Sequence, residues 1–329
     1  MCGIVGYIGQ SDAFPVLIEG LKRLEYRGYD SAGVALIGNQ DNLNVYKTKG
    51  KVSNLEALAA DKDCSGHIGI AHTRWATHGE PSAANAHPHV SMSGELALVH
   101  NGIIENYQVL KEQLADKGYT FKSSTDTEVL VQLIDHYYQQ NGKDLVSAVC
   151  QALNDAIGAY AITVMEKKDP GHIVAARQSS PLVVGVGKDN KDFYIASDAT
   201  PIVEHTNKVV YLEDGEIADI RVGEELNIIN LEHASCSYTI KTVDLDINKL
   251  SKGGFDHYML KEIYDQPNCL KDCMSGRLIV DKEHPENNHI VLSALRDYRD
   301  RLVNAKHIII VACGTSWHAG LIGKQLIEK

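Results

Sequence analysis

The spacing of apolar positions near the start of the chain predicts an amphipathic helix. Ser11 and Asp12 can cap such a helix, and the apolar residues that follow recur with helical period. These apolar residues are Phe14, Leu17, Ile18, Leu21 and Leu24. One face of this helix is therefore expected to be buried against a sheet.

Short apolar runs and further helical patterns alternate up to about residue 153. The runs predict strands at residues 33–37, 67–75 and 95–100. The third predicted strand is followed by Asn101 and Gly102, a pair that is typical of a turn. The helical patterns fall at residues 105–117, 125–139 and 145–153.

Residues 159–229 indicate a succession of strands instead. The predicted strands are 160–166, 172–177, 182–187, 193–197 and 209–212. Asp214 and Gly215 form a typical hairpin turn, and they predict that the strand at 209–212 pairs with one at 216–220. Paired strands with helices in separate blocks favour an α+β layered domain.

A polar, glycine-containing stretch at residues 246–254 predicts a boundary. Beyond it, helices are predicted at 257–277 and near 288–304, and the apolar run 307–311 predicts a buried parallel strand. A last predicted helix reaches Lys329. One strand with one crossover helix cannot complete a doubly wound sheet, so we expect the sequence to stop as a second domain begins.

Composition narrows the classes of function. The chain has 329 residues and a formal net charge of −11, which argues against a nucleic-acid-binding surface. We expect no membrane association, since no apolar run approaches the ~18–20 residues that span a bilayer and no secretory signal precedes the first strand. The seven scattered cysteines favour reduced thiols in the cytoplasm.

Two groups of residues raise the question of a metal site. Cys269 and Cys273 are four residues apart on a predicted helix, but no matching second pair follows. His87 and His89 flank Pro88, and this alternation gives no helical face for two ligands. Neither a metal nor an organic cofactor is predicted.

Cys2 follows the initiator methionine and could become the first residue. Removal of Met1 would give one residue both a thiol and a free α-amine. An α-amine has a pKa of about 7.7–8.0 and a free cysteine about 8.5, so the amine can serve as the base that activates the thiol. The ordinary alternative is a small residue exposed by methionine removal.

Three polar segments could form a site around such a nucleophile. Arg74 and Trp75 open the string Arg-Trp-Ala-Thr-His-Gly at a predicted strand end, where a solvated arginine would be the ordinary interpretation. Asn101 and the N–H group of Gly102 could converge on an oxyanion. Asp126, in Thr-Asp-Thr-Glu, also fits the N-terminal capping signature of a helix.

Taken together, these segments resemble one family. The start Met-Cys-Gly-Ile-Val-Gly is similar to that of the class II glutamine amidotransferases, which are N-terminal-nucleophile hydrolases. Three longer strings resemble its glutamine–fructose-6-phosphate aminotransferase branch, at residues 24–33, 72–79 and 99–106. Strings at residues 257–267 and 312–316 resemble the same branch, so the resemblance covers essentially the whole chain.

The resemblance implies a role for each residue of the glutaminase site. Cys2 would be the nucleophile, and Asn101 with Gly102 would form the oxyanion hole. Glutamine would be bound by Arg74, Thr77, His78 and Asp126, and Trp75 would act as the gate to an ammonia passage. The resemblance implies that these residues belong to a four-layer αββα N-terminal-nucleophile sandwich of the α+β class.

The resemblance also implies an organisation. Residues 1–240 would be the glutaminase domain, 241–255 a linker, and 256–329 the truncated start of a sugar-isomerase domain. Thr315 and Ser316 would bind part of the sugar phosphate. The full-length enzyme would be a homodimer that uses L-glutamine to aminate fructose 6-phosphate, whereas this chain alone would hydrolyse glutamine at most.

Other functions stay open at this point. A different amidotransferase subclass, such as the one that forms phosphoribosylamine, shares the Cys-Gly start. A catalytically silent glutamine-binding or regulatory module would keep Met1, or would bind glutamine without turnover. A scaffold fragment would neither bind nor hydrolyse it.

Overall fold

The computed structural model describes two compact units, Met1–Gly253 and Gly254–Lys329. The described residues are 2–75, 79–243, 254–275, 277–281, 283–292, 295 and 298–329.

The first unit contains fourteen strands and five α-helices in its described residues. Its strands are β1 (Gly3–Ile8), β2 (Ser31–Ile37), β3 (Leu43–Lys49), β4 (Ile68–Arg74), β5 (His89–Val90), β6 (Leu96–Ile104), β7 (Gly158–Glu166), β8 (His172–Gln178), β9 (Val183–Val186), β10 (Phe193–Ala196), β11 (Lys208–Tyr211), β12 (Glu216–Arg221), β13 (Asn227–Asn230) and β14 (Lys241–Thr242). Its helices are α1 (Ala13–Leu24), α2 (Val52–Ala59), α3 (Tyr107–Asp116), α4 (Asp126–Gln140) and α5 (Leu145–Asp155), with 3₁₀ turns at Glu25–Arg27 and Lys188–Asn190.

These strands form two antiparallel sheets. The eight-stranded sheet has the order β14-β11-β9-β10-β1-β4-β2-β3, and the six-stranded sheet has the order β13-β12-β8-β7-β6-β5. The strand β14 lies within the predicted linker 241–255, so the first sheet extends past residue 240. Residues 244–253 of that linker lie outside the described residues.

Side-chain alternation along the strands assigns the layers. In β1, Ile4 and Ile8 belong to the core between the two sheets, whereas Val5 and Tyr7 pack with α1 and α2 on the outer face. In β6, Val99 likewise faces the other sheet, and α3, α4 and α5 cover the opposite face. The predicted four-layer αββα sandwich is confirmed.

One predicted turn and one predicted hairpin are wrong. Asn101 and Gly102 do not end the third predicted strand but continue it, because both residues pair with β7 inside β6. The segment at Asp214 and Gly215 does not close a hairpin, since β11 pairs in the eight-stranded sheet and β12 in the six-stranded sheet. This segment therefore passes the chain from one sheet to the other.

The predicted helices of this unit agree with α1, α3, α4 and α5 to within two residues at each end. The cap of α1 is Asp12, but its side chain makes no capping hydrogen bond. Both β3 and α2 were missed by the sequence prediction. The strand β3 is a half-buried edge strand, so its apolar alternation is weak.

The second unit, described by itself, is less regular. It contains α6 (Tyr258–Met274), β15 (Leu278–Ile279), a 3₁₀ turn at Pro285–Asn287, β16 (His289–Ile290), α7 (Arg299–Val303) and α8 (Gly314–Ile327). The predicted helix near 288–304 is wrong at its start, because β16 lies there and pairs with β15. Near the end of this range the structure has the short helix α7. No helix in the described ranges of either unit has the length and apolar character that crossing a bilayer requires.

The predicted buried strand at 307–311 is also wrong. These residues form no strand, and the Ile309 side chain is 86% exposed. A parallel strand requires neighbouring strands on its edges, and the described part of this unit offers only the β15–β16 pair, at another place in the sequence. The start of a sugar-isomerase sheet is therefore not formed in the described residues.

Candidate active site

One cavity of about 410 Å³ in the first unit contains six of the residues predicted for the glutaminase site. They are Cys2, Arg74, Trp75, Asn101, Gly102 and Asp126. The other lining residues are Arg27, His87, His100, Ile103, Thr125, Thr127, Ser180, Pro181 and Ser197. Thr77 and His78 lie outside the described residues.

The strand order explains how residues far apart in sequence meet. Cys2 immediately precedes β1, and Arg74 ends the antiparallel neighbour β4, in which Thr73 pairs with Gly3. The start of one strand and the end of the other thus lie at the same edge of the eight-stranded sheet. Asn101 and Gly102 come from β6 of the facing sheet, so both sheets contribute to the cavity.

The Cys2 thiol lies against the backbone of Trp75. The Trp75 N–H donates to Cys2 Sγ at 3.1 Å, and Sγ can donate to the Trp75 carbonyl at 3.4 Å. Burial raises the pKa of the Cys2 thiol, while the Trp75 N–H and the Arg74 charge act in the opposite direction. A buried thiol with a raised pKa needs a local base before it can attack, which is the requirement that an α-amine on the same residue would meet.

Both polar groups of the Asn101 side-chain amide make hydrogen bonds. Asn101 Nδ2 donates to the carbonyl oxygen of Cys2 at 3.3 Å, and Oδ1 lies 2.8 Å from His72 Nε2. The donor group of the amide is therefore directed toward Cys2. This orientation is the one that stabilisation of negative charge near the thiol requires.

Gly102 adopts a conformation that other residues rarely can. Its φ is +133°, and an added Cβ would lie 2.0 Å from the carbonyl oxygen of Ala159 on the paired strand β7. The residue therefore combines strand pairing with a left-handed φ, and a side chain here would displace the backbone. Glycine is required at this position by both the conformation and the close approach.

Asp126 both lies at a helix N-terminus and lines the cavity, as the sequence suggested. It is the first residue of α4, and the preceding Thr125 caps the helix by accepting from the Glu128 N–H at 3.3 Å. Asp126 Oδ2 also accepts from the Ile104 N–H at 2.8 Å, which ties the helix start to the end of β6. A carboxylate at a helix N-terminus is electrostatically favoured, and here it lines the cavity.

Arg74 is buried at the end of β4 and is not the solvated strand-end arginine of the ordinary interpretation. Its Nη2 donates to the carbonyl oxygen of Gly79 at 3.2 Å, and Nη1 donates to that of Glu80 at 3.4 Å. The Asp30 carboxylate lies 3.9 Å from Nη1. These contacts fix the Arg74 guanidinium group on the cavity wall. Its positive charge is opposite to the charge of Asp126.

Trp75 is not a core residue, because its side chain is 53% exposed. Its ring lies directly over Gly28, where an added Cβ would come within 2.7 Å of the ring carbons. The close approach therefore depends on glycine at position 28, whose φ is +93°. Trp75 forms part of the cavity wall while exposing half of its surface.

Thr315 and Ser316 belong to the second unit. They lie in the first turn of α8, and both side chains are exposed. The preceding apolar run forms no strand, so the strand-to-helix turn expected for phosphate binding is not present in the described residues.

The cavity also contains residues that the sequence argument did not single out. Arg27 Nη1 donates to Ser197 Oγ at 3.1 Å, and the same oxygen accepts from the Ile4 N–H at 3.2 Å. Arg27 lies inside one of the strings that carried the family resemblance, which was the available signal. Ser197 is 170 positions from Arg27 and has no local signature.

Four buried histidines, named here the cavity histidines (His72, His87, His89 and His100), lie near Asn101 and Gly102. The rings of His72 and His87 stack with centroids 4.2 Å apart, and His89 contacts His87 edge-on. Burial lowers the pKa of His72 to about 3, and it also lowers the pKa of each of the other three. All four are therefore neutral near pH 7.

A second polar group, the His172 network (Glu166, Asp169, His172, Asp219 and Arg221), lies on β7, β8, β12 and the turn between β7 and β8. His172 Nδ1 is 3.0 Å from Glu166 and Nε2 is 2.8 Å from Asp219, while Arg221 pairs with Asp169 at 2.7 Å. Glu166, Asp169 and His172 lie close enough together to hold a metal ion. Because Arg221 and His172 already neutralise these carboxylates, we assign the group as an ion-pair network.

Comparison with known proteins shows the family and the fold of this chain. The family described as "Glutamine amidotransferase domain" matches residues 59–225, about half of the chain. Among solved structures, glutamine phosphoribosylpyrophosphate amidotransferase from B. subtilis is 28% identical with a TM-score of 0.58, over 70% of this chain and 49% of that one. The first unit thus has the fold of the N-terminal-nucleophile amidotransferases.

Curated relatives match the whole chain. Glutamine–fructose-6-phosphate aminotransferase [isomerizing] from Bacteroides thetaiotaomicron is 64% identical over 329 residues, which is 100% of this chain and 52% of that protein. The protein of the same name from Chlorobaculum tepidum is 51% identical and is covered to 53%. The chain therefore spans about half the length of the curated relatives it matches. The chain belongs to the glutamine amidotransferase domain family.

Proposed function

We propose that this chain hydrolyses L-glutamine to glutamate and ammonia, with Cys2 as the nucleophile once Met1 has been removed. The observation that supports this most directly is the single cavity shared by a thiol, an oriented amide, a buried arginine and a carboxylate. Each of these groups suits one part of glutamine. Together they fit an amide-hydrolysing site better than a scaffold.

In the proposed reaction, the Cys2 α-amine takes the thiol proton and Sγ attacks the side-chain carbonyl carbon of glutamine. The tetrahedral oxyanion is stabilised by Asn101 Nδ2 and the Gly102 N–H. The carbon–nitrogen bond then breaks, and the protonated α-amine gives its proton to the departing ammonia. Water, deprotonated by the same amine, hydrolyses the γ-glutamyl thioester and releases glutamate.

Substrate binding is proposed to use the opposite charges of Arg74 and Asp126. The guanidinium group would bind the α-carboxylate of glutamine, since it presents paired donors to a carboxylate. Asp126 would bind the α-ammonium group. Thr77 and His78 complete the proposed pocket on the strength of the family resemblance.

We further propose that the longer protein passes this ammonia to fructose 6-phosphate. The relatives named for that reaction support the assignment, and at 64% identity the similarity extends across both units. Trp75 would gate the ammonia passage, Thr315 and Ser316 would contribute to binding the sugar phosphate, and the longer protein would be a homodimer. The proposal includes no metal or organic cofactor and no nucleic-acid or membrane partner. It places the protein in the cytoplasm, where its seven free cysteines would stay reduced.

The test is glutamate release from glutamine by three proteins: wild type, Cys2→Ala and Cys64→Ala. Cys64 is a matched control, because it is a half-buried thiol that donates to Ala59 and does not line the cavity. We expect activity in the wild type and Cys64→Ala proteins and none above background in Cys2→Ala. Glutamate release by Cys2→Ala at the wild-type rate would exclude the proposed nucleophile.

Assays of the longer protein with different acceptors test the second proposal. Formation of glucosamine 6-phosphate from fructose 6-phosphate is expected. Amination of phosphoribosylpyrophosphate instead would move the protein to the other amidotransferase subclass.

A further inference from the structure

His72 is entirely buried in β4, yet its ring faces the amide that the reaction uses. Its Nε2 lies 2.8 Å from Asn101 Oδ1, and the side chain has no measurable solvent exposure. The ring therefore contacts the oxyanion-hole amide without lining the cavity itself.

The direction of this hydrogen bond follows from its partners. An amide oxygen can only accept, so His72 Nε2 must donate and the neutral ring has its proton on Nε2. The reversed amide would place its NH₂ group against Nε2 and move the ring proton to Nδ1. The reversed amide would also turn its oxygen toward the carbonyl oxygen of Cys2, to which Nδ2 now donates at 3.3 Å, and two acceptors would then face each other.

The surroundings keep this ring neutral. Burial lowers the pKa of His72 to about 3, and the charges of His100 and Arg74 act in the same direction, against the hydrogen bonds to Asn101 and to the His100 backbone. The neighbour stacked on its other side, His87, is also neutral because burial lowers its pKa. A neutral ring has one proton to donate, and the 2.8 Å contact with Asn101 Oδ1 assigns that proton to Nε2.

We propose that His72 is a positioning residue of the oxyanion hole, which holds the Asn101 amide with Nδ2 turned toward Cys2. This inference rests on the proposed glutaminase function. Without the His72 donor, the amide can rotate and present its oxygen to the developing oxyanion, which would repel it. The effect belongs to the transition state, so kcat should change and KM should not.

The first experiment compares His72→Leu with His72→Gln in the glutaminase assay. Leucine removes the donor, whereas the glutamine NH₂ group can take the place of Nε2–H. We expect His72→Leu to lower kcat by about 10-fold to 100-fold, short of the ~10²–10³-fold typical of losing an oxyanion donor outright, with KM nearly unchanged. His72→Gln should recover most of the lost kcat.

A double-mutant comparison separates positioning from a general packing effect. In an Asn101→Ala background, the His72→Leu change should have no further effect on kcat, because the amide that it positions is gone. Independent, multiplicative losses in the double variant would overturn the proposal.

Nitrogen NMR of histidine-labelled protein provides a test that does not depend on the His72 variants folding. The signal that shifts in the Asn101→Ala protein should show a protonated Nε2 and an unprotonated Nδ1, and the opposite tautomer would overturn the inference. A wild-type chain with no glutaminase activity would instead defeat the proposed function itself. An active wild-type chain with unchanged kcat in His72→Leu would defeat only the role of His72.

Discussion

The cavity histidines and His172 are all buried, yet the pKa values of their rings shift in opposite directions. The rings of the cavity histidines contact an amide, a hydroxyl group and one another, and burial lowers the pKa of each. Burial also opposes the charge on His172, but its hydrogen bonds to Asp219 and Glu166 outweigh burial and raise its pKa. The partners, and not the depth of burial, decide which form of the ring is present.

This difference in pKa suits a different role for the histidines of each region. Neutral rings can orient an amide beside a thiol without adding positive charge to the site. A ring whose pKa is raised by two carboxylates instead connects neighbouring strands of the six-stranded sheet. We therefore expect changes in the first group to affect activity and changes in the second to affect stability.

The largest expected effect is on stability, from His172→Ala. Removing one partner from a buried ion pair leaves Glu166 and Asp219 without their shared cation, which typically costs about 3–5 kcal/mol. Chemical denaturation should show this loss, while kcat of the folded protein stays at the wild-type value. A fall in kcat with stability unchanged would contradict the division between the two groups.

The next largest effect is on activity, from Gly102→Ala. The new Cβ would lie 2.0 Å from the Ala159 oxygen, so the backbone N–H of the proposed oxyanion hole must move. We expect glutamate release to fall by roughly 10²–10³-fold. Gly215→Ala is the matched control, since Gly215 also has a positive φ, of +82°, but has open space around it, and this variant should keep its activity.

Acidification should change the contributions of the two groups to the free energy of unfolding in opposite directions. The pKa of each cavity histidine is lower in the folded state than its ordinary value of about 6.5, so below that pH the unfolded chain binds protons that the folded chain does not. The free energy of unfolding should therefore decrease as pH falls from 6.5, by up to about 1.4 kcal/mol per pH unit for each histidine. The His89→Gln protein should show a shallower slope in denaturation between pH 6.5 and 5, and an unchanged slope would argue against a neutral His89.

His172 should show the opposite dependence. Its pKa is raised on folding, so its stabilising contribution is complete below about pH 6.5 and is lost as pH rises through the folded pKa. The destabilisation caused by His172→Ala should therefore be greater at pH 6 than at pH 9. Equal losses at the two values would mean that the ring is neutral throughout.

The smallest expected effect is from Arg221→Gln. Arg221 pairs with Asp169 at 2.7 Å, but its side chain is 37% exposed, so solvent screens the interaction. We expect a loss of about 0.5–1 kcal/mol in the free energy of unfolding, with no change in glutaminase rate. A loss as large as that for His172→Ala would place the main stabilisation on Arg221 instead.

Local signals predicted the helices well and the pairing of strands less well. The helical period identified α1, α4 and α5 because one face of each is buried continuously. The Asp214–Gly215 turn was recognised, but a turn signal does not specify which sheet receives the next strand. The edge strand β3 was missed, since its residues are only half buried.

The candidate site was predicted where its residues lie in recognisable strings, and less well elsewhere. The structure brings Cys2, Arg74 and Asp126 to one cavity as the family resemblance implied. Asn101 and Gly102 also line this cavity, but their strand geometry was not predicted, because the same pair usually forms a turn. Ser197 and His72 make contacts with residues that are far from them in the sequence. No local sequence pattern encodes such contacts.

In the proposed glutaminase reaction, the thiol and the α-amine of Cys2 act together. This joint action requires the loss of Met1. The most direct measurement compares the rate of glutamate release with the fraction of chains that begin at Cys2, determined by intact-protein mass spectrometry on preparations processed to different extents. The account predicts a rate that is proportional to this fraction and that extrapolates to zero when every chain retains Met1. Wild-type activity in fully unprocessed protein would contradict it.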